Sequence, residues 1–234
     1  MAFDTTHWSL VAAAGGDDSA ARAALSRLCE IYWYPLYAYV RRRGANPDDA
    51  RDLTQGFLVS LLERRDFENL QRERGRFRSF LLASLQNFMA NDFARQRAQK
   101  RGGDAILLPL AFEEAEGRYS IEPAEPATPQ TLYERRWALT VIERVLADLR
   151  EEWKSAARIA EFDELKSCLL GEAPEGGYAE IAERLQTSEG SVRVAVHRLR
   201  RKFHKRLKKD IGDTVMDPAD IDDEIRYLIR ALDA

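Results

Sequence analysis

The amino-acid sequence predicts an all-α protein of two helical modules joined by an acidic, Pro-containing linker. Three observations carry this. Apolar residues recur at three- and four-residue intervals through most of the chain, while the alternation of a half-buried strand is nearly missing. Helix starts carry polar caps, most clearly at Asn46-Pro47-Asp48-Asp49. The periodicity lapses between Gly102 and Pro129 over Gly-Gly, acidic residues and Pro123, Pro126 and Pro129, the composition of a linker. The expected organisation is a first module over 1–101, a linker over 102–131, a second module over 132–210 and a C-terminal extension over 211–234.

Taken in order, a first short helix is expected around Trp8 to Ala12, after Asp4, Thr5 and Thr6. A second starts after Asp17-Asp18-Ser19 and runs through Leu25, Leu28 and Tyr32 to Val40, with Pro35 expected to kink or restart it and Gly44 to end it. The third has a cap at Asn46, proline in its first turn and acids beside the positive end of the dipole. Its apolar face is Leu53, Phe57, Leu58, Leu61 and Leu62, which leaves Asp49, Asp52, Gln55 and Glu63 facing outward. A polar, basic loop through Asn69 to Gly75 leads to a helix carrying Phe80, Leu81, Leu85, Phe88, Met89 and Phe93. In the linker, Glu113, Glu114 and Glu116 read as solvated acids. Helicity returns at Leu132, with Trp137, Leu139, Ile142, Val145, Leu146 and Leu149, then Ile159, Phe162, Leu165 and Leu169, before the break at Gly171 to Gly177.

The next stretch has helix-turn-helix spacing. Tyr178 to Leu185 forms one helix and Ser191 to Phe203 a second, across a short polar turn. Val192, Val196, Leu199, Phe203 and Leu207 make a single stripe at the helical period, and Ile181, Ala182 and Leu185 are placed to meet it. Ser188 is the expected N-cap, with Glu189 favourable beside the dipole. Gln186 and Thr187 occupy a turn where glycine is common, and a left-handed Gln there costs roughly 1 kcal/mol. Away from the stripe lie Arg193, Val194, His197 and Arg201, on the face such a motif lays in the major groove. Arg193 suits a guanine edge and Val194 a thymine methyl. The run Arg198, Arg200, Arg201, Lys202, Lys205, Arg206, Lys208 and Lys209 contains no acid and suits phosphates.

Bulk properties narrow the function classes. The chain has 234 residues, is 45% hydrophobic and carries a formal net charge of −3, with a sequence pI of about 5.8. Such a total does not describe a nonspecific DNA binder. Charge is segregated instead: Arg72, Arg74, Arg76, Arg78, Arg95, Arg97, Lys100 and Arg101 are opposed in their stretch only by Glu73 and Asp92. This points to a protein that reaches DNA with a partner's help. Cys29 and Cys168 lack CxxC spacing and read as buried hydrophobes. His7, His197 and His204 have no companions at ligand spacing, so no metal and no cofactor is expected. There is no phosphate-binding glycine loop and no supported Cys/His or Ser/His constellation, so no catalysis is expected. With no leader and no long apolar run, a cytoplasmic location without membrane contact is expected.

Together these motifs resemble the extracytoplasmic-function group of bacterial RNA polymerase sigma factors, in the sigma-70 family. Leu25 to Arg101 is similar to the family's region 2, above all Asp49 to Leu58 and Gly75 to Phe93, and Leu132 to Lys209 is similar to region 4. The resemblance implies a promoter-specificity subunit that binds core RNA polymerase and promoter DNA and has no catalytic activity of its own. An anti-sigma factor or another regulator is a further implied partner. It implies that Asp49, Asp52 and Gln55 contact the polymerase, with Gly56 standing where the family usually has glutamate. It assigns the opened minus-ten element to Arg76, Arg78, Asn87, Asn91, Arg95 and Arg97, beside a loop from Phe67 to Gly75, with Phe77, Phe88 and Phe93 read as core. The minus-thirty-five duplex falls to Ser191, Arg193, Val194, His197, Arg198 and Arg201. Val194 and Ala195 stand where the family commonly has a polar and a basic residue. The competing reading is a stand-alone helix-turn-helix regulator with an N-terminal sensing bundle.

Met216 to Leu232 extends past the family's minimal core as a capped amphipathic helix, with Ile221, Ile225, Leu228, Ile229 and Leu232 on one side and acids at its start. Two uses are open for it. It completes the core of the second module, or it restrains that module with its acids screening the recognition helix.

Overall fold

A computed structural model describes residues 19–63, 76–96, 112–120, 127–169 and 177–233. Among these, nine α-helices account for nearly all regular structure, and strand-like pairing is limited to one isolated antiparallel bridge between Arg76 and Val215. The all-α reading holds. The helices are α1 (Ser19–Arg42), α2 (Pro47–Glu63), α3 (Phe77–Gln96), α4 (Phe112–Ser120), α5 (Pro129–Ser155), α6 (Ile159–Leu165), α7 (Gly177–Arg184), α8 (Glu189–Gly212) and α9 (Ile221–Leu232). The helix expected around Trp8 and the loop from Phe67 to Gly75 lie outside the described residues. No helix among the described residues is long and apolar enough to cross a membrane.

The chain divides into two units, one of residues 1–140 with 211–234 and one of residues 141–210. In the first, α1 continues as one helix through Pro35 rather than restarting, and it buries Leu28, Tyr32, Leu36 and Val40 completely. Gly44, at φ 96, closes it in the left-handed conformation that places the Ala45 N–H on the Val40 carbonyl at 3.4 Å. The α2 start is the capping arrangement read from the sequence. Asn46 Oδ1 accepts the Asp49 N–H at 2.8 Å, while Asn46 Nδ2 donates to Asp49 Oδ2 at 2.8 Å.

The core of this unit is rich in aromatic residues, and the buried tips of Trp137 and Tyr133 have partners. Trp137 Nε1 donates to the Tyr32 hydroxyl at 3.0 Å, and the Tyr133 hydroxyl donates to the Arg78 carbonyl at 2.9 Å. Phe77 meets Tyr32 edge to face at 5.1 Å. Phe77 is fully buried and Phe88 is half-buried against Phe57, so both serve packing. The Phe93 side chain lies outside the described residues.

The linker reading is corrected over 112–120. Phe112–Ser120 is a helix because its first residue packs edge to face on Trp33 and Tyr37, at 5.3 and 5.7 Å, and Ala115 is fully buried. Glu116 is not a solvated acid. It accepts from Arg41 Nε and Nη2 at 3.0 and 2.8 Å and from the Tyr37 hydroxyl at 2.5 Å. Burial works against its charge, but these donors prevail and hold its carboxyl below the usual glutamate range. Glu113 and Glu114 remain exposed.

The second unit is built on the part of α5 from Val141, whose Val141, Val145, Leu149 and Trp153 are buried at four-residue intervals. Trp153 packs on Phe162 of α6 at 6.0 Å. Cys168 is fully buried with an apolar role, as expected. Cys29, in the other unit, is likewise buried, and its thiol is pushed up to about 12 by burial and by nearby Glu30.

Candidate nucleic-acid interface

The helix-turn-helix forms in the second unit as the spacing requires. α7 ends at Arg184, and the chain turns through Gln186, whose φ is 51. This left-handed residue lets the Thr187 N–H reach the Ala182 carbonyl at 2.9 Å and the Gln186 N–H reach the Glu183 carbonyl at 3.1 Å. Those two bonds satisfy carbonyls that the helix end would leave open, which offsets the strain at Gln186. Ser188 then caps α8, its Oγ accepting the Ser191 N–H at 3.2 Å.

The predicted stripe is the buried one. Val192, Val196, Leu199, Phe203 and Leu207 are all buried, as are Ile181 and Ala182 of α7, while Leu185 is half-buried. Burying this seam rotates a different set of side chains to the surface. Ser191, Arg193, Val194, His197, Arg198 and Arg201 are all exposed, and Val194 has the rare status of an exposed large apolar side chain at 51%. The sequence-predicted duplex-reading residues therefore share one solvent-facing side of α8.

Their electrostatic states differ. The Arg193 guanidinium is held by Glu189 at 2.7 Å one turn earlier and lies over the Tyr178 ring at 5.6 Å. The Arg193 and Glu189 side chains are both largely exposed, so this pair is weak and open to exchange. Ser191 Oγ shares a hydrogen bond with Ser188 Oγ at 2.8 Å. Arg198, Val194 and Ala195 line a cleft of about 570 Å³ with Arg158, Trp153 and Lys202. The Arg158 guanidinium lies 4.5 Å from the Trp153 ring centre, and Glu161 pairs with it at 2.7 Å. The cleft joins cations to an apolar wall near the start of α8.

The basic run is not uniformly available for phosphates. Arg200 turns inward and donates twice to the Cys168 carbonyl, at 2.9 and 2.7 Å. Lys202 pairs with Glu152, and Arg206 approaches Asp148 at 3.4 Å, both acids coming from α5. Arg198, Arg201, Lys205, Lys208 and Lys209 are exposed. The sequence pattern counted all of these as one comb because it could not see acids supplied by a helix some fifty residues away.

In the first unit, Asp49 and Asp52 are exposed on α2 and Gln55 is half-buried. Asp49 also serves the cap at Asn46, and Arg51 sits between Asp48 and Asp52 at 3.3 and 3.6 Å. An added Cβ at Gly56 would meet the tip of Phe88 at 3.5 Å, an ordinary contact. Glycine is not required there by space.

The residues assigned to an opened strand fall into three groups. Asn87 and Asn91 are exposed on α3. The Arg95 side chain and all of Arg97 lie outside the described residues. Arg76 and Arg78, by contrast, are held by Glu224 of α9. Arg78 Nε lies 2.7 Å from Glu224 Oε1 and Arg76 Nε lies 2.7 Å from Oε2. Arg78 is only 5% exposed, and its guanidinium stacks 3.7 Å from the Tyr227 ring centre.

The C-terminal extension thus belongs with the first unit, and Glu224 engages Arg76, just before α3, and Arg78 in its first turn. Of the expected apolar face, Ile225 and Leu228 are buried, Ile221 and Leu232 are half-buried and Ile229 is 53% exposed, while Glu224 and Ala231 take places on the inner face. Glu224, Tyr227 and Trp137 were not singled out for a site by sequence reasoning. A signal existed: Glu224 sits four residues before Leu228 and seven before Ala231, on the apolar stripe itself. Arg78 likewise shares a face with Leu81, Leu82 and Leu85. An ion on each of two apolar stripes is the trace of a buried pair.

No group of acidic, histidine or cysteine side chains suited to a metal ion occurs among the described residues. Comparison with protein-family models, with curated proteins and with solved structures gave no match.

Proposed function

We propose that this protein is a sigma-type promoter-specificity subunit of the extracytoplasmic-function group, which binds core RNA polymerase and directs it to a set of promoters without chemistry of its own. The observation that carries the reading is the two-helix element of the second unit. Its apolar seam is buried while Ser191, Arg193, Val194, His197, Arg198 and Arg201 occupy one exposed side of α8, the arrangement a major-groove reader needs. Supporting it is a first unit with an acid-bearing helix start at Asp48, Asp49 and Asp52 and an arginine-bearing helix α3. Acids suit a basic polymerase surface, and arginines and amides suit an opened strand. A cytoplasmic site of action follows from such a role.

In this mechanism α8 lies in the minus-thirty-five major groove. Val194 supplies an apolar contact to a thymine methyl, Arg193 and Arg201 supply hydrogen bonds to base edges or phosphates, and Lys205 and Lys209 neutralise backbone charge. The net charge of −3 keeps free protein from coating DNA, so targeting depends on the polymerase. The test is to mix purified protein with core polymerase. Co-elution and promoter-dependent transcripts from a genomic template library are expected. Absence of both, with tight binding to a palindromic duplex by the protein alone, would instead establish a stand-alone regulator.

A further inference from the structure

The carboxylate of Glu224 occupies a setting that chemistry would otherwise give to a phosphate. Its side chain is 1% exposed and lies between two guanidinium groups, Oε1 at 2.7 Å from Arg78 Nε and Oε2 at 2.7 Å from Arg76 Nε. Arg78 Nη2 completes the fork at 3.4 Å from Oε2. Around the fork stand two aromatic rings, with the Arg78 guanidinium 3.7 Å from the Tyr227 centroid and 5.2 Å from that of Trp137. A planar guanidinium fork binds carboxylate and phosphate by the same geometry. Arg76 keeps 32% of its side chain exposed, while Arg78 and Glu224 are buried beneath it.

The segment that delivers Glu224 is itself anionic. Asp217, Asp220, Asp222, Asp223 and Glu224 fall within eight residues. It is also pinned beside the start of α3. The Phe77 N–H bonds the Thr214 carbonyl at 3.0 Å, and Arg76 bridges Val215. Of these acids, Glu224 lies on Arg76 and Arg78, at the start of the helix that the proposed function gives to an opened strand.

We propose that Arg76 and Arg78 form a phosphate site for an unstacked DNA strand, that Glu224 holds this site as an internal mimic of the phosphate, and that α9 must leave it before the strand can bind. The inference rests on the proposed function. When a binding-competent state is a minor fraction of the population, the apparent dissociation constant rises by the inverse of that fraction. Docked α9 therefore sets a threshold. The free protein binds single strands weakly, and a strand presented at high effective concentration by the polymerase displaces the helix. Glu224 screens Arg76 and Arg78.

The test uses the full chain, with a fluorescent single-stranded oligonucleotide and, separately, a duplex. Glu224→Gln keeps the shape and removes the charge. It is expected to raise single-strand affinity about tenfold and to steepen the log–log salt dependence by about 0.7 for each phosphate newly neutralised. Duplex affinity, carried by α8, is expected to stay unchanged, and adding Arg78→Ala to Glu224→Gln is expected to abolish the gain. A folded Glu224→Gln protein with wild-type single-strand affinity and salt slope overturns the proposal. Should that variant fail to fold, hydrogen exchange on the wild-type chain decides. Amides of 221–232 are expected to lose protection at saturating oligonucleotide, and retained protection overturns the proposal. Promoter-dependent transcription with core polymerase separates the two readings. If it succeeds while Glu224→Gln behaves as wild type, the displacement alone is wrong. If it fails, the proposed function is wrong and this inference falls with it.

Discussion

Gln186 and Glu116 illustrate how single residues carry the folded arrangement. Gln186 adopts φ 51 to end α7, at a cost of roughly 1 kcal/mol for a residue with a Cβ. Gln186→Gly is expected to stabilise the second unit by up to about 1 kcal/mol, less whatever the extra freedom of glycine in the unfolded chain removes. Gln186→Ile is expected to destabilise it, since branching worsens the clash. Urea unfolding monitored by circular dichroism checks both, and a destabilising glycine would refute the account of the turn. The turn residue was legible in the sequence because no glycine was available, whereas the role of Glu116 was not. Its partners Arg41 and Tyr37 lie about 75 residues away, so its neighbours in sequence made it look like one solvated acid among several. With its carboxyl held below the usual range, the ionised group favours the native state. That stability is fully present above the ordinary glutamate value of about 4.3 and is lost as pH falls below it through the lower native value. Glu116→Gln is expected to flatten the acid limb of stability against pH, measured by thermal unfolding from about pH 5 downward. An unchanged acid limb would show that the pair contributes nothing.

At the scale of the element, α8 is the best case of prediction from pattern. Five apolar residues at helical spacing determined which side would be buried, and so which side would be presented. What the pattern could not supply was the pairing of its cations. Arg200 is spent on the Cys168 carbonyl, and Lys202 and Arg206 face acids of α5. Arg201 and Lys205 are exposed, at 201 and 205 on the presented side. On the proposed function, Arg201→Ala and Lys205→Ala are each expected to weaken duplex binding and to lower the log–log salt slope by about 0.9. Arg200→Ala is expected to leave that slope unchanged and instead to reduce stability. Fluorescence anisotropy over a salt series distinguishes them, and equal slopes for all three would remove the distinction drawn between surface and structural arginines. Helix α4 is the opposite case. Nine residues with low apolar content gave no convincing period, and it forms because Phe112 and Ala115 find α1. Short helices draw their stability from tertiary packing rather than from propensity.

At the scale of the whole molecule, the chain leaves the first unit near residue 140 and returns to it near residue 211. The proposed function assigns polymerase contact to that first unit. Asp52, with 74% of its side chain exposed, is the acid of α2 best suited to testing this without disturbing the cap. Asp52→Arg is expected to weaken co-elution with core polymerase about tenfold, a charge reversal at a contact, while leaving duplex affinity of the isolated protein intact. Undiminished co-elution would move the polymerase contact elsewhere. The sequence by itself determined the helical class, the caps at Asn46 and Ser188, the seam of the helix-turn-helix and the identity of the side chains on its outer face. All of these are local, because the helical period and cap chemistry operate within a turn or two. Only the tertiary structure decided that the acidic C-terminal helix places Glu224 on Arg76 and Arg78, 146 residues from Arg78 along the chain. No local rule pairs charges across such a separation. Burial selects the pair, since two ions removed from water must find each other.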